Sequence, residues 1–85
     1  MNPNGREDLI RDLQGLLATR FHADRTEPDF DLLDSGVVDS VILVELVLEL
    51  ERRFEISLPF EDLEIDDFRT VRRVAELVQR ATSPA

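Results

Sequence analysis

The segment 41–54 constrains the fold of this chain more than any other, because it is apolar nearly all round. Asp39 and Ser40 precede it directly, and both are residue types that favour helix N-termini. The β-branched residues of its first turn are compatible with a strand, but its unbroken length and the glutamates at positions 45 and 49 favour a helix. A helix of this composition is largely buried or serves as a docking face.

Two amphipathic helices are predicted on either side of this segment. Positions 6–21 and 71–80 repeat apolar residues at helical intervals, with charged residues on the opposite side. Thr70 directly precedes the last of these helices and is a residue type that caps helices. The polar stretch 22–29 between the first two helices is too long for a tight turn, so we expect a loop there.

The short acidic piece 60–66 follows a proline and has room for at most two helical turns. Together with the three longer helices it predicts an all-α fold, a four-helix bundle with a long first connection. At 85 residues the chain has the size of one small domain, residues 1–85. We expect a folded core over about 6–81 and flexible tails at 1–5 and 82–85.

The charge balance and the residue types narrow the function. Ten cations against nineteen acids give a formal net charge of −9, which disfavours nucleic-acid binding and predicts partners with positive patches. With no cysteine and with His22 as the single histidine, we expect no metal site and no catalytic triad. The chain has neither a signal-peptide pattern nor an apolar run of the roughly 20 residues that cross a bilayer. We expect a cytoplasmic, monomeric protein that binds neither nucleic acid nor membrane and that is not an enzyme.

Two serines lie at or before the start of the central helix. Helix capping alone accounts for Ser40. The same position is exposed, however, and a phosphate ester on its hydroxyl would face backbone N–H groups and the positive end of the helix dipole. Ser35 has the same Asp-Ser context, but the glycine that follows it predicts a turn.

The run 34–41, with 43–54 behind it, resembles the acyl and peptidyl carrier proteins. In that family a serine at the start of the second helix carries 4′-phosphopantetheine; Ser40 is the matching position, with Asp39 and Val41 beside it. The resemblance implies a bundle of the acyl-carrier type, with three long helices and one short third helix. It also implies a phosphopantetheinyl transferase that modifies the serine, an adenylate-forming ligase or acyltransferase that loads the arm, and a downstream synthase or transferase.

The resemblance further implies that partners dock on the exposed side of the central helix. The residues at helical intervals from the serine are Ile42, Glu45, Leu48, Glu49 and Arg52. The acidic ones would steer a basic patch on the partner. For Ile42 and Leu48 the alternative is that they fill the core. The chain departs from the family at Val41, where leucine or methionine is commoner, and at the pair Arg52-Arg53, where many carriers are acidic.

Positions 61–71 resemble the region before the last helix in discrete carriers of specialised pathways. The resemblance implies that Ile65, Phe68 and Val71 form a wall for the cargo, although for Phe68 a place in the core is favoured. We expect a stand-alone carrier that holds a small acyl or aminoacyl unit as a thioester for a natural-product pathway of the polyketide or nonribosomal-peptide type, including antibiotic biosynthesis. The alternatives are a fatty-acid synthesis carrier and an unmodified acidic interaction module in which Ser40 is only a helix cap.

Overall fold

The computed structural model describes residues 5–82. Its three α-helices are α1 (Gly5–Arg20), α2 (Ser40–Phe54) and α3 (Val71–Thr82), and two 3₁₀ turns, Phe60–Asp62 and Ile65–Phe68, lie between α2 and α3. The described range contains no β-strand. The predicted all-α fold is therefore confirmed, and the three long helices lie within one or two residues of their predicted bounds.

The predicted short third helix is replaced by the two 3₁₀ turns. Glu64 lies between them in extended backbone, with φ −118° and ψ 143°. Its N–H donates to Asp67 Oδ2 at 3.2 Å, and the Asp67 N–H donates back to the Glu64 carbonyl at 3.0 Å. Aspartate side chains that bond nearby backbone groups compete with helical hydrogen bonding, so a continuous helix does not form across this acidic stretch.

The core is built from one side of each helix and from residues of the connecting segments. α1 packs chiefly along α3. Leu32, from the loop before α2, and Phe68, at the end of the second 3₁₀ turn, are completely buried. The helical residues that are most deeply buried are Leu13, Leu17, Leu46, Val47, Leu50, Val71, Val74, Ala75 and Val78. Because α2 contributes only its inner side to this core, its apolar outer side remains at the surface.

The long connection between α1 and α2 is bonded to the end of the second 3₁₀ turn and the start of α3. The Leu32 N–H donates to the Arg69 carbonyl at 2.6 Å, and the Arg69 side chain pairs with Asp31 at 2.8 Å. The Arg72 N–H donates to the Pro28 carbonyl at 3.0 Å. These contacts hold the loop against the second 3₁₀ turn and the start of α3, and so fix the place from which α2 begins.

Parts of the predicted tails, 1–5 and 82–85, are helical. Gly5 is the first residue of α1 and Thr82 the last of α3, while residues 1–4 and 83–85 lie outside the described range.

Within residues 5–82, no helix combines the length and the apolar character needed to cross a bilayer. No three histidine or acidic residues of that range are grouped as metal ligands.

Acid is expected to weaken the ionic cluster that joins the second 3₁₀ turn to α3. Asp66 accepts hydrogen bonds of 2.6 Å from both Arg69 and Arg73, and the Arg69 bond is the main reason why the pKa of the Asp66 carboxyl lies below its usual value. A carboxyl with a lowered folded pKa stabilises the protein above its unfolded pKa, and the stabilisation is lost as the pH falls through the folded value. The difference in unfolding free energy between wild type and Asp66→Asn should therefore be greatest near neutral pH and shrink below about pH 4.

Urea denaturation at a series of pH values checks this expectation. Using the difference between two proteins matters, because the net charge of −9 is itself neutralised on acidification and alters the stability of both. Asp24→Asn is the matched control, because it makes the same charge change at an exposed position of the loop that forms no ion pair within residues 5–82. A flat Asp66→Asn difference would contradict the assignment.

Candidate functional site

The N-terminus of α2 is capped by Asp39, not by Ser40. Asp39 lies in extended backbone, with φ −116° and ψ −172°, and its Oδ1 accepts the N–H groups of Val41 at 3.0 Å and Ile42 at 2.9 Å. Ser40 is the first residue of the helix. The prediction that Ser40 serves as the cap is wrong, because the preceding carboxylate takes up the first free N–H groups and its charge also suits the positive end of the helix.

The Ser40 side chain is consequently available for chemistry. The residue is exposed, and no group within residues 5–82 forms a hydrogen bond with its hydroxyl. A large phosphate ester fits such a position without displacing any core side chain. Asp39 already accepts the N–H groups of Val41 and Ile42, which belong to the helix terminus that the sequence analysis expected a phosphate ester on Ser40 to face.

The turn before α2 accounts for the second serine. Gly36 has a positive φ of 85°, and the Ser35 hydroxyl donates to the Leu32 carbonyl at 3.2 Å. The Asp34 N–H donates to Asp31 Oδ1 at 2.7 Å and tightens the same turn. Ser35 is therefore a turn residue, as predicted, and its hydroxyl is already engaged by the backbone.

The outer face of α2 carries an apolar stripe that starts next to Ser40. Val41 is 65% exposed, Val44 44% and Leu48 56%, and their spacing of three and four residues places them on one side of the helix. Glu45 and Arg52 are exposed on the same side. The sequence analysis did not single out Val44, although the three-residue interval from Val41 would have found it. Leu48 belongs to this face and not to the core.

Ile42 lies at the border between the outer face and the core. It is half-buried and packs against the core cluster. Ile42 was expected to be either a docking residue or a core residue. Both are partly met, since one side of it fills the interior and the other faces solvent. It contributes less exposed apolar surface than Val41 or Leu48.

Glu49 is not on the exposed face where the sequence places it; only 8% of its surface is exposed. Its Oε2 accepts from Arg52 at 2.6 Å and from Arg20, at the end of α1, at 3.2 Å. The Arg52 hydrogen bond is the main reason why the pKa of the Glu49 carboxyl lies below its usual value. Arg53 turns to Asp12 of α1 at 3.6 Å. The basic end of α2 therefore pairs with acids of this same chain.

The residues predicted as a cargo wall do not form one surface. Ile65 is well exposed, whereas Phe68 and Val71 are completely buried. Phe68 closes the second 3₁₀ turn by inserting into the core, so it is a core residue, and Val71 begins α3 on its inner side. Of the three, only Ile65 presents a side chain that a cargo outside the core would touch.

Exchanging each of the two residues at the start of α2 for alanine separates their roles. Asp39→Ala should cost about 1 kcal/mol of unfolding free energy, because two helix N–H groups lose their acceptor. Ser40→Ala should change it by less than about 0.5 kcal/mol, because the hydroxyl bonds nothing in the described chain. Urea denaturation measures both, and equal losses in the two variants would show that Ser40 does act as a cap.

Comparisons with known proteins agree with this architecture. A family described as "Phosphopantetheine attachment site" matches residues 11–78. The D-alanyl carrier protein of Lactococcus lactis subsp. cremoris (strain MG1363) is 38% identical over 58 residues, which are 68% of this chain and 73% of that protein. The D-alanyl carrier protein of Streptococcus sanguinis (strain SK36) is 46% identical over 48 residues, 56% of this chain and 61% of its own. That of Streptococcus uberis (strain ATCC BAA-854 / 0140J) is 45% identical over 51 residues, 60% of this chain and 65% of its own.

The matched region contains the whole of α2, the turn before it and most of α1 and α3. The resemblance to carrier proteins is thereby confirmed, and with it the prosthetic group, 4′-phosphopantetheine. Proteins of this kind are substrates of a phosphopantetheinyl transferase and of ligases and transferases, and are not catalysts themselves. This chain belongs to the family of carrier proteins that are built around a phosphopantetheine attachment site.

Proposed function

We propose that Ser40 carries 4′-phosphopantetheine and that the arm holds a small aminoacyl unit, which the protein passes between enzymes. The observation that carries this proposal is an exposed serine hydroxyl, without a hydrogen-bond partner in the described chain, at the start of α2. Capping by Asp39 removes the structural explanation for that serine. The alternative of an unmodified interaction module, in which Ser40 is only a cap, loses its basis for the same reason.

The chain's own contribution to attachment is presentation of the nucleophile. The Ser40 hydroxyl oxygen attacks the β-phosphorus of coenzyme A; the bond from that phosphorus to the bridging oxygen breaks, and adenosine 3′,5′-bisphosphate leaves. The serine proton passes to a base of the transferase, which also supplies the metal. Asp39 holds the first turn of α2 in place, so the hydroxyl stays exposed at a defined point. The thiol of the bound group supplies the thioester chemistry.

The relatives favour an aminoacyl cargo. The named relatives are D-alanyl carriers. Of the three residues predicted to form a cargo wall, only Ile65 is exposed. A small polar unit such as D-alanine needs no apolar enclosure, whereas a long fatty-acyl chain would gain from one. We place the carrier in aminoacyl transfer, with a natural-product pathway of the nonribosomal-peptide or polyketide type as the finer assignment and fatty-acid synthesis as the alternative.

The proposed partner surface is the outer face of α2. It combines the apolar stripe of Val41, Val44 and Leu48 with the charges of Glu45 and Arg52. A surface of three apolar and two charged residues makes a small interface, which suits a carrier that must release each enzyme after transfer. Charged residues beside the stripe raise encounter rates and set the orientation of the partner more than they add affinity.

Modification at Ser40 is tested by intact mass. Wild-type protein incubated with coenzyme A, magnesium and a broad-specificity phosphopantetheinyl transferase should gain one phosphopantetheine group, and Ser40→Ala should gain none. Ser35→Ala is the matched control, because Ser35 has the same Asp-Ser context but lies in a turn. It should be modified as fully as wild type. Modification of Ser40→Ala, or loss of modification in a folded Ser35→Ala variant, would show that the attachment site is not Ser40 alone.

The cargo is tested on the modified protein. Adenylate-forming ligases that activate D-alanine, L-alanine or a medium-chain fatty acid are each supplied with ATP and with the phosphopantetheinylated protein. The aminoacyl ligases should form a thioester, seen as a mass increase that hydroxylamine reverses, and the D-alanine ligase should be the fastest. Loading by the fatty-acid ligase alone would favour the fatty-acid alternative.

A further inference from the structure

A groove of about 390 Å³ runs between the end of α1 and the outer face of α2. The residues that line it are Arg20, Phe21, Glu45, Leu48, Glu49 and Arg52. With 1.5 Å of rise per residue, it begins about 8 Å along the helix axis from Ser40, at Glu45, and ends about 18 Å away, at Arg52. An enzyme that holds Ser40 in its active site and lies along α2 therefore also covers the groove.

The charges in this groove are unequally placed along the helix. At the far end two guanidinium groups, of Arg20 and Arg52, share the single oxygen Oε2 of Glu49. Each guanidinium has five N–H donors, and both arginine side chains are more than half exposed, so donors remain that face the groove. At the near end the charges are acidic, Glu45 in the groove and Asp39 beside Ser40. The face is thus negative near the serine and positive at the other end.

We propose that the positive end of this groove receives a carboxylate side chain of the phosphopantetheinyl transferase, with an apolar neighbour on Leu48 and Phe21. The inference rests on the proposed modification of Ser40, and it commits to the transferase because every carrier of this family must meet that enzyme whatever its cargo. A planar guanidinium binds carboxylates with defined geometry. A partner with the reverse polarity, basic near its active site and acidic further along, is then held on α2 in one orientation.

Glu49 acts in this arrangement as an internal competitor. Its carboxylate already occupies one donor of each arginine and reduces the positive potential that a partner carboxylate meets. The sequence analysis assigned Glu49 the opposite role, that of an acidic docking residue. The two assignments predict opposite effects of removing its charge, which makes Glu49→Gln the most informative variant.

Steady-state kinetics of the broad-specificity transferase test the proposal, with coenzyme A in excess and the unmodified carrier as the varied substrate. Arg20→Gln and Arg52→Gln should each raise the KM for the carrier about two- to fivefold with kcat unchanged, since an exposed ion pair is worth up to about 1 kcal/mol. Glu49→Gln should lower KM, and the three differences should fade in about 1 M salt. Arg11→Gln is the matched control, with the same charge change on the opposite side of α1 from Arg20.

Each result has a defined meaning once circular dichroism has shown that the variants are folded. If Arg20→Gln and Arg52→Gln behave like Arg11→Gln, the groove does not meet the transferase and the proposal is wrong. A raised KM for Glu49→Gln would overturn it in favour of an acidic docking role. A second copy of this chain is the rival occupant, and a dimer that Arg52→Gln dissociates in sedimentation would also overturn it. No modification of wild type would instead refute the proposed function.

Discussion

The hydrogen bonds that Asp39 Oδ1 accepts from Val41 and Ile42 determine what the site can do. They close the first turn of α2 with the residue before Ser40, so the serine is part of the helix but has no structural task within it. The turn that leads to this point is itself anchored, because Leu32 and Val38 are buried on either side of it. Under the proposed function, this free hydroxyl at the start of α2 is the group that an external transferase would modify, and the carrier would contribute position and no catalysis.

The arginines offset the repulsion among acidic residues that a net charge of −9 creates. A small domain with so many acids is destabilised by its own repulsion unless cations lie among them. Arg69 pairs with Asp31 and Arg72 pairs with Asp29, so guanidinium groups at the start of α3 hold the loop before α2. Arg69 and Arg73 also pair with Asp66 of the second 3₁₀ turn. Single surface pairs of this kind contribute little, but several that join the same two segments act together. They fix the loop while leaving the acidic surface near Ser40 unneutralised.

Much of this could be predicted from the sequence, because helical periodicity is a property of each segment alone. The three helices and the serine at the start of α2 follow from apolar spacing and from a motif. The cap was assigned to Ser40 and not to Asp39, because both are capping residue types and only the backbone angles decide between neighbours. The predicted third helix takes the form of two 3₁₀ turns, because Asp67 bonds the backbone of Glu64, a local competition that periodicity does not register.

The sequence also could not predict which residues of α2 are buried. On a helix that is apolar nearly all round, spacing alone cannot say which side faces inward; the neighbouring elements decide. The end of α1 brings Arg20 to the flank of α2, so Glu49 is buried and paired, while Leu48 one residue earlier stays in solvent. Phe68 was assigned to the core as the favoured alternative, and the structure places it there, completely buried at the end of the second 3₁₀ turn.

The buried and exposed sides of α2 divide residues that stabilise the fold from residues of the proposed partner surface. Val41, Val44 and Leu48 contribute little to the core, so substitutions there should change the proposed partner surface at a small cost in folding free energy. Leu46, Val47 and Leu50, which alternate with them along the same helix, cannot change without loosening the interior. Glu49 is the exception, since its carboxylate joins α1 to α2 and also sets the charge of the groove. If the groove is the proposed docking site, a change at that residue affects the fold and the partner at once, and partner preference is then tied to the way the first two helices are joined.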